Sequence, residues 1–155
     1  MKINNLHRSG FTLLELMLVV GILVIIATMS KDFYGSFVPS AQLEDNAKTI
    51  IYDLRNTRDK AMNGQDDKLW GIHFVNGASD YYEVFSTPSD YSDVAKSVLV
   101  SVYLRNGITF SSPAEGVSVD IIFGKINGQV ASSSITISNR NSTRTIYVQG
   151  QGLIN

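Results

Sequence analysis

Residues Phe11 to Met29 read FTLLELMLVVGILVIIATM and are apolar except for Thr12, Glu15, Gly21 and Thr28. As a helix this run spans about 28 Å, close to the hydrocarbon thickness of a bilayer. Glu15 is its single charge, one turn from its start, where the cost of burying a carboxylate in lipid is partly relieved near the interface. The leader MKINNLHRSG carries Lys2 and Arg8 and no acid, which predicts a cytoplasmic N-terminus with the remainder outside. Three plainer readings compete. A cleaved secretory signal needs a small-residue site after the apolar core, and Ala27-Thr28-Met29 is a poor one. A plain single-pass anchor fits the run. A buried core helix fits poorly, because the run is apolar on every face.

Downstream, Lys31 and Asp32 mark a membrane exit, with Phe33, Tyr34 and Phe37 as interfacial anchors. Gly35 and Pro39 supply either a bend or a stop. In residues 40–63 the apolar positions Leu43, Ala47, Ile50, Ile51, Leu54, Ala61 and Met62 recur at three- and four-residue steps, with a gap at Thr57 and Arg58. The spacing predicts an amphipathic helix, capped by Ser40 and stopped by Gly64. Its charges mix both signs and read as a solvated face.

From Leu69 the period changes to strands at 69–75, 81–86, 97–104, 108–111, 117–123, 134–138 and 143–149. Asn76-Gly77, Asn106-Gly107 and Asn127-Gly128 read as hairpin turns. In 97–104 the alternation places Val98, Val100 and Val102 on one face, with Leu99 and Tyr103 on the other. Such a run of strands without intervening helices predicts antiparallel sheets, packed as a sandwich or against the long helix.

Little in the sequence is chemical. There is no cysteine, so an exported domain is held by its core alone. His7 falls in the leader, and His73 alternates between Ile72 and Phe74, which predicts a solvent-side residue. Asp66 and Asp67 are adjacent and form no acid–base pair by spacing. Asp90 and Asp93 near Ser89 and Ser92 raise a calcium site, but their spacing fits no calcium loop, and 87–96 and 111–116 read as surface loops. No zinc spacing, phosphate loop or nucleophile motif is present. The expectation is a non-enzyme with no catalytic residue, cofactor or metal.

Ser9-Gly10-Phe11-Thr12-Leu13-Leu14-Glu15, behind a short basic leader and before an unbroken apolar run, resembles the class III signal of type IV pilins and type II secretion pseudopilins. The resemblance implies cleavage by prepilin peptidase between Gly10 and Phe11, N-methylation of Phe11, and subunit assembly through Phe11 and Glu15. In the family the acid at the position of Glu15 pairs with the new amino group on a neighbouring subunit. It also implies a pilin-like α+β fold: a long N-terminal helix packed on a C-terminal antiparallel β-sheet domain. The expected divisions are a leader at 1–10, a transmembrane and filament-core helix at 11–39, an amphipathic half at 40–63 and a β-rich domain at 64–155.

Within the domain, Leu54-x-x-Thr57-Arg58-x-x-Ala61, the strand at Trp70–Phe74, Ile122-Phe123 with Gly128-Gln129, and Thr145–Val148 followed by Gly150 and Gly152 resemble the GspH/FimT-type minor pseudopilins and minor pilins. Two features depart from the wider family. Asp32 stands where many members have proline, and the C-terminal disulfide of many pilins has no counterpart.

The expected partners are other pilin or pseudopilin subunits, prepilin peptidase, an inner-membrane assembly platform, and lipid before assembly. The expected location is the cytoplasmic (inner) membrane, then an extracellular or periplasmic filament. A minor subunit is the first reading and a major type IV pilin the second. DNA uptake by a minor pilin is the third: Lys125, Arg140 and Arg144 are available, but without the leader's two cations the chain has 11 basic to 14 acidic side chains.

Overall fold

The computed structural model describes residues 10–155, with the side chains of all but 29–37. The elements are α1 (Leu13–Met62), β1 (Leu69–Val75), β2 (Tyr81–Thr87), β3 (Ser97–Tyr103), β4 (Thr109–Ser112), β5 (Ser118–Phe123), β6 (Ser133–Ser138) and β7 (Thr143–Val148). This is the expected α+β architecture, an N-terminal helix packed on an antiparallel β domain. The chain forms two compact units that part between Phe37 and Val38.

In the first unit every described side chain from Phe11 to Thr28 is exposed. No described helix is long and apolar enough to cross a membrane. The side chains of residues 29–37 are outside those described, and the expected exit at Lys31–Phe37 falls among them.

In the second unit Leu43, Ala47, Ile50, Leu54 and Ala61 are buried in one cluster with residues of both sheets. Thr57 belongs to the same stripe: it is 1% exposed, and its hydroxyl donates to the Asp53 carbonyl at 2.6 Å. That bond removes the cost of placing a hydroxyl in the core and fills the gap in the apolar period. Ser40 does not start a helix, because α1 is already running and contains Pro39. The Pro39 carbonyl accepts a bond from the Asn139 amide at 2.8 Å. Gly64, at φ 63°, ends the helix in the left-handed region as expected.

All seven predicted strands form, in two sheets ordered β3-β2-β1-β5 and β4-β6-β7. This order corrects two expectations. Only Asn76-Gly77 joins strands that pair; Asn106-Gly107 and Asn127-Gly128 carry the chain from one sheet to the other. The glycines supply the positive φ there (86° and 61°), but a turn residue sets local direction, not the strand partner. The second correction is in β3. Val84 pairs with Val100 and Phe85 with Val98, so Leu99 is an extra residue that puts Val98 and Val100 on opposite faces.

The sheets are tied at the β1–β2 loop. Buried Asn76 donates to the carbonyls of Phe110 and Pro113, and the Asp80 carboxylate accepts from the Gly77 and Phe110 N–H groups. These side chains satisfy backbone groups of Phe110 in β4, of Pro113 just beyond it and of Gly77 in the loop itself.

Candidate functional site

The segment expected to be processed sits at the start of α1. Gly10, Phe11 and Thr12 are non-helical, and Phe11 is 83% exposed. The Gly10–Phe11 peptide therefore lies in open backbone two residues ahead of the first helical residue. Thr12 is the N-cap: its hydroxyl oxygen accepts the Glu15 N–H at 3.2 Å. Thr12-x-x-Glu15 has the residue types of a capping box, and Glu15 in the first turn lies at the positive end of the helix dipole. The spacing of threonine and glutamate carries this cap in the sequence, beneath the stronger signal of the apolar run.

The GspH/FimT-like positions, far apart in sequence, meet in space. The Arg58 side chain runs under two turns, 124–128 and 149–152. A Cβ added at Gly128 would lie 3.1 Å from Arg58 Nε, and one added at Gly152 would lie 2.6 Å from it. A Cβ at Gly152 would also collide with the Gly128 carbonyl oxygen. Both glycines have positive φ, 61° and 75°, so conformation and space both demand them. Arg58 Nε is buried with no hydrogen-bond partner. Ala61 anchors the same corner, accepting the Ile126 N–H at 3.2 Å.

His73 corrects the solvent-side expectation: it is 8% exposed, and Nδ1 lies 2.5 Å from Asp120 Oδ1. The cover comes from loop 88–96. Tyr91 stacks on the imidazole with centroids 3.6 Å apart, meets Phe85 edge-on, and donates its hydroxyl to Glu83 at 2.6 Å. Lys96 lies over the other face of the Tyr91 ring. Burial, then Glu83, raise the Tyr91 phenol above its ordinary range. Alternation gives a residue's face, but not whether a distant loop will roof it.

The acids of that loop are used locally. The Asp90 carboxylate accepts from the Ser92 N–H and hydroxyl, which lowers its pKa, and Asp93 accepts from Ser89 and Ala95. No group of acids, histidines or cysteines among the described residues could hold a metal ion. Two of the cations considered for DNA are engaged by acids: Arg144 with Glu44 at 2.7 Å and Lys125 with Asp67 at 3.0 Å.

Residues 5–30 match the family described as "Prokaryotic N-terminal methylation motif". The match supports a type IV pilin or pseudopilin subunit, with the processing by prepilin peptidase and the assembly with other pilins that such a motif implies. No curated protein and no solved structure matches the chain.

Proposed function

We propose that the chain is a minor pilin or minor pseudopilin of GspH/FimT type, built into a type IV pilus or a type II secretion pseudopilus. The carrying observation is the methylation motif at residues 5–30, which straddles Gly10–Phe11. In this reading prepilin peptidase removes residues 1–10, and the new Phe11 amino group is methylated. Residues 11–29 hold the chain in the inner membrane until the helix transfers to the filament. Glu15 then meets the Phe11 amino group of a neighbouring subunit, because in a lipid-like interior a carboxylate is stable only beside a cation. The exposure of the apolar side chains from Leu13 to Ile25 supports this. The corner of Arg58, Gly128 and Gly152 supports the subtype.

The test is intact-mass analysis of protein from membrane and sheared-surface fractions, with and without the host's prepilin peptidase. A mass of residues 11–155 plus one methyl group is expected only with the peptidase. An uncut chain in both hosts would reduce Glu15 to a residue of an ordinary anchor. A bulk signal in the sheared fraction would point to a major pilin instead of a minor subunit.

A further inference from the structure

The free edge of β7 carries a strand along only part of its length. Tyr147 and Asn155 exchange both backbone hydrogen bonds, at 2.9 and 3.0 Å, and the Gln149 N–H donates to the Leu153 carbonyl at 2.9 Å. Residues 153–155 thus run antiparallel to β7 on the side away from β6. Alternate residues of an antiparallel strand turn their backbone groups to opposite neighbours, so Thr145 and Thr143 direct N–H and C=O to the same side as Tyr147. Among the described residues no backbone group pairs with them there. The side chains of the docked segment alternate too: Ile154, opposite Val148, is 4% exposed, whereas Leu153 is 52% exposed. One inward step further along the same lane, opposite Ile146, lies a groove of about 220 Å³. It is lined by Ala47, Ile51 and Ile146, with Glu44, Lys48 and Arg144 beside them. Past the Glu44–Arg144 pair a second groove continues to Thr143.

We infer that this lane is a strand-addition site, and that its occupant is an extended segment of a partner protein, antiparallel to β7, with the pattern apolar, polar, acidic, polar. The docked segment 153–155 shows that this edge takes a strand. The open backbone groups of Thr145 and Thr143 continue that ladder in register. A partner residue opposite Ile146 has the parity of Ile154, so its side chain enters the groove beside Ala47 and Ile51 and is apolar. Two residues on, the side chain opposite Arg144 meets the guanidinium. An acid there takes the place of Glu44, whose pair with Arg144 is largely in water and costs little to open. The partner residues facing Thr145 and Thr143 point to solvent, as those threonines do, and are polar. The site is complete within residues 38–155 and does not depend on the filament reading.

The isotope-labelled full-length chain in detergent micelles would be titrated with the pentapeptide VTDTS, acetylated and amidated at its ends, and followed by amide NMR. Binding is expected at peptide concentrations up to about 5 mM. The Thr143 and Thr145 amides should shift most and exchange roughly tenfold more slowly. Methylating the backbone nitrogen of the peptide threonine that faces Thr145 removes one ladder donor and should weaken binding roughly tenfold. Replacing the peptide's aspartate by lysine should weaken it as well. Thr145→Pro should abolish binding while β6 and β7 stay paired, because the lost N–H faces only the lane. Unchanged Trp70 fluorescence confirms folding of that variant, and the methylated peptide makes the same test on the unaltered chain. No binding, equal binding of the methylated peptide, or shifts centred on another free edge such as β3 would overturn the inference. Failure here leaves the filament reading intact, and intact mass tests that separately.

Discussion

Gly152 illustrates how one residue joins conformation, packing and sequence pattern. Alanine there would meet φ 75°, the Gly128 carbonyl and Arg58 together. Gly152→Ala is expected to destabilise the β domain by about 2 kcal/mol or more. Chemical unfolding followed by the single tryptophan, Trp70, which is 1% exposed, measures this directly. The glycines and the Thr57-Arg58 pair were legible in the sequence as a pattern, whereas their convergence was not, because contacts across such separations depend on sheet order. In the first unit, Thr12→Ala should cost about 1 kcal/mol of helix-start stability. Faster amide exchange at Glu15 would report it, since that N–H loses its side-chain acceptor.

Among the elements, α1 and β2 share the core and a partly buried side-chain bond. The Tyr82 hydroxyl donates to Asp53 Oδ2 at 2.5 Å, and burial first, then Asp53, raise the phenol's pKa well above its ordinary value of 10.0. The folded chain holds this proton where the unfolded chain would release it. The contribution is therefore complete below pH 10 and declines as pH rises beyond it. An unfolding series from pH 8 to 11 should show stability falling above pH 10, and Tyr82→Phe should flatten that fall. The same variant should lose about 1 kcal/mol at neutral pH, because Asp53 loses its donor. Strand positions were readable because alternation and turn residues are local. Sheet order was not, because β1 lies between β2 and β5 and only the first of these is its neighbour in sequence. The His73 roof was hidden for the same reason: its cover comes from Tyr91, in a loop that reads as ordinary surface.

For the whole molecule, the contrast lies between an exposed apolar N-terminal unit and a second unit with its own core. Residues 38–155 contain every strand and the buried stripe of α1. That fragment should stay monomeric and folded without detergent in size-exclusion chromatography, whereas residues 11–155 should require detergent or lipid. The N-terminal segment was the most legible part of the sequence, because length, charge placement and apolarity act there without tertiary context. Its assembly partner was not, because one chain displays only half of an interface.

Loop 88–96 offers a practical handle. Tyr91 and Lys96 fasten it on either side, while Val94 between them stands fully in solvent. A short epitope or a small fluorophore inserted beside Val94 would leave both sheets and α1 untouched. Labelling at that point would let single subunits be located and counted by microscopy on intact cells.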